Sequence, residues 1–254
     1  MPWEPNCYHQ FRNERSAPFE DLFGLVNVRQ ALQVIDLGCG TGELTRQLAD
    51  RLPDSQVLGI DSSPEMLERA TEHQRPGLRF EHGWIEQIVG EWDLVFSNAA
   101  IHWVENHPVL VPHLLSLVRP GGQLVVQLPS NHNHLAHRLI VEIAGEEPFC
   151  QALAGWLRHS PVLSIDAYAE LLYQHGSADI IVFEKIYPHL IPGADALADW
   201  TSGTALVPYF ERLGPELREQ FLERYRQRLR QIWTDDPVFY PFRRTLFAAR
   251  RIIR

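Results

Sequence analysis

The segment Asp36-Leu37-Gly38-Cys39-Gly40-Thr41-Gly42 constrains this chain more than any other. An apolar run over residues 31–37 leads into it and reads as a buried strand. Leu44, Leu48 and Leu52, spaced by four, predict a helix over 43–52 directly after it. Glycines at such a junction let the backbone adopt positive φ and approach a ligand closely. The helix N-terminus beyond them offers free N–H groups. The spacing is G-x-G-x-G, whereas the dinucleotide fingerprint is G-x-G-x-x-G. Glu43 holds the sixth position, so a pyrophosphate would meet a carboxylate in the first helical turn. NAD and FAD are therefore disfavoured, and a cofactor with a cationic or zwitterionic end is favoured.

The rest of the first half repeats the strand–helix alternation. Strands are predicted at 56–60, 78–81, 92–97 and 123–128. Ser63-Pro64-Glu65 opens a helix with an N-cap, a proline at the first helical position and an acid in the first turn. A further helix covers 108–118 and stops at Arg119-Pro120-Gly121-Gly122. Such alternation gives a doubly wound α/β fold with a mostly parallel sheet. After Pro129 the pattern changes. Residues 135–175 are largely helical, with helix starts expected at Asn133 and Ser164. A strand at 180–187, helices over 194–233 and a last strand at 242–251 follow. The expected segmentation is a helical lid over 1–30, a Rossmann-like core over 31–130, and the rest of the core with a helical segment over 131–192. A helical cap inserted over 193–240 and the last sheet strand over 241–254 complete it.

Asp61 follows the second strand, where an acid can accept both hydroxyls of a ribose. With the glycine loop, Gly59-Ile60-Asp61 and Phe96-Ser97-Asn98-Ala99 resemble the class I S-adenosylmethionine-dependent methyltransferases over residues 31–130. The resemblance implies a seven-stranded sheet whose last strand is antiparallel, and S-adenosylmethionine as cofactor. It implies that Asp36, Gly38, Gly40 and Gly42 lie at the methionine part, and that Asp61 holds the ribose with Ser62 and Met66 nearby. Gly83, Trp84 and Ile85 then flank the adenine, and Asn98 approaches the methionine end. Trp84 stands where the family carries an acid. It either stacks on the adenine or packs in the core.

A closer resemblance, to the trans-aconitate methyltransferases, covers nearly the whole chain. It rests on Trp3-x-Pro5-x-x-Tyr8-x-x-Phe11-x-x-Glu14-Arg15-x-x-Pro18, Gly59-Ile60-Asp61-Ser62-Ser63-Pro64, Asn98-Ala99-x-x-x-Trp103, Phe221-Leu222-x-Arg224-Tyr225 and Ala249-Arg250-Arg251. The implied reaction forms a monomethyl ester of a small polycarboxylate. A carboxyl group of pKa near 4 is already ionised at neutral pH, so the chemistry needs positioning and no general base. No catalytic residue in the strict sense, and no metal, is expected. Two alternatives are a carboxyl methyltransferase acting on an acyl group held by a carrier protein, and a cofactor-binding regulatory protein without turnover.

Such a substrate needs cations, and here composition matters. The chain has 23 Lys plus Arg against 32 Asp plus Glu, a net −9, with Lys185 the only lysine. Residues 205–254 carry 11 Arg and 6 acids, so the basic excess is at the C-terminal end. An acidic body disfavours nucleic acid. Arg243 and Arg244, at the start of an antiparallel last strand, fall by topology at the sheet edge where α/β ligands bind. The expected substrate residues are Tyr8, Arg15, His102, Trp103, Arg224 and Arg244. Arg218 and Arg228 fall on the apolar stripe Leu217, Phe221, Leu222, Tyr225, Leu229 and Ile232. There they either snorkel or pair with an anion. His132, His134 and His137 form H-x-H-x-x-H without a supporting Cys or acid, which suits an anion better than zinc. Three cysteines exclude a disulfide framework. No apolar run reaches membrane length, and a cytoplasmic setting follows as an expectation. The oligomeric state is left open.

Overall fold

The computed structural model describes residues 13–252. Helix α1 (Asn13–Phe23) precedes β1 (Gln33–Leu37), α2 (Glu43–Asp50), β2 (Gln56–Asp61), α3 (Pro64–Ala70), β3 (Leu78–His82) and β4 (Trp92–Asn98). Then come α4 (His107–Ser116), β5 (Val118–Pro129), α5 (Leu135–Ala144), α6 (Phe149–Ala152) and α7 (Ile165–Gln174). The remainder is β6 (Ser177–Ile191), α8 (Gly193–Ser202), α9 (Val207–Phe210), α10 (Pro215–Ile232) and β7 (Val238–Arg251). The seven strands form one sheet in the order β3-β2-β1-β4-β5-β7-β6. Strands β1 to β5 pair in parallel, and β7 runs antiparallel to β5. This is the expected doubly wound α/β sheet.

Two compact units divide the described chain. A sheet unit takes residues 15–129, 161–185 and 244 onward, and a helical unit takes 130–160 and 186–243. In the sheet unit both faces are apolar, as helices on both sides require. Ile35, Leu37, Val95, Val126 and Leu128 point to one face, with Leu110, Val111 and Leu114 of α4 and Tyr168 of α7. Their chain neighbours Val34, Leu94, Phe96 and Val125 point to the other, with Phe19 and Leu22 of α1 and Leu48 of α2. The two-residue period of a strand produces this division. In the helical unit, Leu139, Ile140 and Ile143 of α5 share a cluster with Leu197 of α8, Tyr209, and Phe221, Tyr225 and Leu229 of α10.

Several boundaries differ from the sequence reading. Residues 131–160 group with the helices after 186 instead of with the sheet, because α5 packs its apolar face on α10. Arg119-Pro120-Gly121-Gly122 lies inside β5, at an irregularity where Trp92 pairs with Val118 and Leu94 with Gln123. Helix α4 has already ended at Ser116. The cap of α5 is His134, not Asn133: its Nδ1 accepts from Ala136 N–H. Ser63 and Ser164 cap α3 and α7 as expected, accepting from Met66 and Ala167 N–H. No helix among the described residues is long and apolar enough to cross a membrane.

Candidate active site

The loop after β1 turns back under the end of β2. Gly38 and Cys39 both donate their N–H to Ile60 O, each at 2.9 Å. Gly38 has φ +77°, and a Cβ there would lie 2.2 Å from Ala100 Cβ, so a side chain is excluded on both counts. Gly40 differs. Its φ is +55°, and no atom of the described residues lies within 4 Å of where a Cβ would be. Its backbone faces open space, which is what close approach of a ligand requires. Gly42 forms the N-cap of α2. Asp61, at the end of β2, accepts from Gly40 N–H at 2.8 Å through Oδ2 and from Ser63 N–H at 2.9 Å through Oδ1. Each oxygen keeps a lone pair for a further donor.

Asp36 closes the far side of this loop. Its Oδ2 accepts from Thr45 Oγ1 at 2.6 Å, while Oδ1 is buried without a partner among the described residues. Burial, with a further contribution from the Asp61 charge and against the Thr45 hydrogen bond, pushes the Asp36 carboxyl up to about 7. Because the folded pKa lies above the unfolded value of 3.8, this group's stabilising contribution is complete below about pH 4 and is lost as pH rises through about 7. Asp36→Asn keeps an oxygen for Thr45 and removes the charge. The variant is expected to be more stable than the parent at pH 8 by on the order of 2–4 kcal/mol. The gap should shrink toward pH 4.5 in denaturant titrations; equal behaviour at both pH values would contradict the assignment.

After β3, Gly83 donates its N–H to Asp61 O at 3.0 Å. Ile85 is buried and would touch a Cβ on Gly38. Trp84 is 48% exposed and meets His82 edge-on, with ring centroids 4.7 Å apart. It is not a core residue, so the core reading of Trp84 does not hold. Ser62 is exposed, with its carbonyl 3.2 Å from His82 Nε2. Met66 is 6% exposed on α3, so its side chain serves packing.

At the same edge of the sheet unit lies a buried polar relay. Asn98 ends β4 and pairs in register with Gln127 of β5; Pro129 of β5 is paired with Arg244 of β7. Arg244 Nη1 donates to Gln127 Oε1 at 3.1 Å, and Gln127 Nε2 donates to Asn98 Oδ1 at 3.0 Å. Arg244 is only 6% exposed and Gln127 fully buried. His102 and Trp103 sit on a one-turn 3-10 helix, Ile101–Trp103, after β4, with ring centroids 4.8 Å apart. The turn is held by His107, whose Nε2 donates to Ile101 O at 3.0 Å while Nδ1 accepts from the Tyr168 hydroxyl. Burial lowers the His107 pKa, which keeps the ring neutral, and the Ile101 carbonyl then selects the Nε2–H tautomer.

A family model described as a methyltransferase domain matches residues 29–155. The trans-aconitate 2-methyltransferase of Deinococcus radiodurans is 48% identical to this chain over 257 aligned residues, covering 99% of each. That of Variovorax paradoxus is 34% identical, again over 99% of each. The chain belongs to the trans-aconitate 2-methyltransferase family. Solved structures share the family's fold at low identity. The YcgJ protein of Bacillus subtilis matches with a TM-score of 0.63 at 13% identity, covering 94% of this chain and all of that one. A phosphoethanolamine N-methyltransferase of Haemonchus contortus, solved with S-adenosyl-L-methionine, matches at 0.57 and 18%, covering 94% of this chain and 53% of that one.

Within this methyltransferase, five of the C-terminal arginines are paired with acids in place. Arg250 pairs with Asp179 in the sheet unit. In the helical unit Arg226 pairs with Asp199, and Arg230 with Asp195 and Glu223. Arg224 requires a correction. Its guanidinium donates to Glu146 Oε2 at 3.2 Å and Glu147 O at 3.0 Å, and lies 5.0 Å from the Phe149 ring centroid. It ties α10 to the segment before α6 and is not carried forward as a substrate ligand. Arg228 shares Glu146 at 2.6 Å, and Arg218 donates to Leu213 O. Tyr225 is core, with its hydroxyl donating to Ala136 O. Of the histidine run, His134 caps α5 and His137 Nε2 lies 3.1 Å from the Tyr240 hydroxyl. Tyr8 lies outside the described residues, as does the side chain of Arg15. Thr45 and Gln127 were missed by sequence reasoning. Gln127 did leave a signal, being the one polar residue within Leu124-Val125-Val126-Gln127-Leu128.

Proposed function

We propose that this chain esterifies one carboxylate of trans-aconitate, or of a similar small polycarboxylate, with the methyl group of S-adenosylmethionine. The observation that carries the reading is a buried arginine, Arg244, held by a neutral amide at the edge of the sheet that also bears the glycine loop and Asp61. Full-length identity to curated trans-aconitate 2-methyltransferases supports the substrate. S-adenosylmethionine supplies, when bound, a sulfonium methyl open to in-line displacement. The residues present suit that cofactor. Gly40 leaves its backbone open, Asp61 has lone pairs for two ribose hydroxyls, and Trp84 offers an exposed flat face for adenine.

In this scheme no side chain removes a proton, because the acceptor carboxylate is ionised at neutral pH. The chain's task is to orient that carboxylate and exclude water. Arg244 holds a spectator carboxylate. A cation on the reacting oxygen itself would oppose reaction, since that oxygen loses its charge in the transition state. His102, Trp103, Tyr8 and Arg15 complete the proposed substrate set, and the proposed setting is the cytoplasm. The test is transfer of labelled methyl across a panel of di- and tricarboxylates. We expect the highest kcat/KM on trans-aconitate and a base-labile product. Transfer to none of them, with transfer to an acyl carrier protein, would overturn the reading.

A further inference from the structure

Where the chain leaves β5 it enters the helical unit through Ser130 and Asn131. Both are fastened to Arg243. Ser130 N–H donates to Arg243 O at 3.0 Å, and Arg243 N–H donates to Asn131 Oδ1 at 2.7 Å. That second bond also fixes which end of the Asn131 amide carries the nitrogen. What remains is unusual: Ser130 Oγ and Asn131 Nδ2 are buried and have no hydrogen-bond partner among the described residues. The two residues are only 6% and 5% exposed. Buried polar groups are nearly always satisfied, and each exception needs a cause. Two unsatisfied donors on successive residues, both fastened to one strand, are difficult to ascribe to loose packing.

Two arginines of the same unit act on the histidines that follow, which are themselves neutral. His134, three residues on, has its pKa lowered by burial and by the Arg243 charge. His137 is pushed down to about 3 by burial and by His134, His132 and Arg158. The N-terminus of α5, ten residues long, begins at Leu135 beside them and adds its partial positive charge. Neutral donors fastened to the backbone of an arginine, with a helix N-terminus following, suit a planar anion.

We propose that Ser130 Oγ and Asn131 Nδ2 form a carboxylate-binding pair in the helical unit for a small polycarboxylate. The class of ligand rests on the function proposed above; the donor pair does not.

Two variants separate this from a structural role. Ser130→Ala deletes a hydroxyl that makes no hydrogen bond among the described residues. Asn131→Asp keeps the oxygen that accepts from Arg243 N–H and turns the orphan donor into an acceptor. For each, we would measure kcat and KM for trans-aconitate, citrate affinity by calorimetry, S-adenosylmethionine affinity and melting temperature. A hydrogen bond to a charged group is worth roughly ten- to a hundredfold in affinity. KM and the citrate Kd are therefore expected to rise about tenfold in Ser130→Ala and closer to a hundredfold in Asn131→Asp. Cofactor affinity should stay at the parent value in both variants and melting temperature at the parent value in Ser130→Ala, while the carboxylate that Asn131→Asp introduces at a buried position lowers the melting temperature. Unchanged KM and citrate Kd in both variants, while the parent methylates trans-aconitate, would overturn the pair and leave the function standing. Loss of citrate binding in Asn131→Asp, with a parent inactive on every polycarboxylate, would overturn the function and leave the pair. A Ser130→Ala protein that melts several degrees lower would assign the hydroxyl to the fold and also overturn the proposal.

Discussion

Asp61→Ala is expected to lower the affinity for S-adenosylmethionine by at least a hundredfold. The carboxylate has two tasks. It ties the glycine loop to the start of α3, through Gly40 N–H and Ser63 N–H. Its remaining lone pairs are the proposed acceptors for two ribose hydroxyls. Hydrogen bonds to a charged group contribute about 1.5–3 kcal/mol each, so two of them suffice for the predicted loss. The loop would loosen as well, because Gly40 N–H loses its acceptor. Asp61→Asn refines the test. One amide oxygen can still serve Ser63 or Gly40, but the amide nitrogen then faces the other donor. An intermediate loss of about tenfold is expected. Calorimetric titration of both variants gives the answer, and full affinity in Asp61→Ala would remove Asp61 from the cofactor site.

Much of this arrangement was legible because it is local. A strand, three glycines and a helix of period four lie within twenty residues, and an acid ending the next strand completes the cofactor half. The seven-stranded sheet with an antiparallel last strand followed from the family resemblance and is present. What was not legible depends on partners distant in sequence. Arg224 read as a substrate ligand because its acceptor, Glu146, lies 78 positions away. The basic excess of the last fifty residues read as a positive field. Acids at 146, 179, 195 and 199 cancel much of it. Trp84 was ambiguous because an indole serves a core and a ligand equally well; its exposure excludes the core. The grouping of 131–160 with α10 depends on apolar faces that periodicity finds but cannot pair.

Arg244→Met should raise KM for trans-aconitate by about a hundredfold or more while leaving S-adenosylmethionine affinity unchanged. A charge-assisted hydrogen bond is worth about 1.5–3 kcal/mol, and a guanidinium can make two to one carboxylate. Methionine fills similar space without the charge. A structural cost is also expected, since Gln127 Oε1 loses the Arg244 donor in a fully buried position. An unsatisfied buried acceptor costs about 1–3 kcal/mol, or about 2–4 °C in melting temperature per kcal/mol for a chain of this size. The two effects can be separated. Gln127→Leu in the Arg244→Met background removes the stranded amide, so it should recover stability without recovering KM. Arg244→Lys should restore the charge but not the planar fork, and its KM should fall between those of the parent and Arg244→Met. If Arg244→Met folds, loses a few degrees and keeps the parent KM, Arg244 is a buried cation that serves the Asn98–Gln127 pair, and the substrate's carboxylates are held elsewhere.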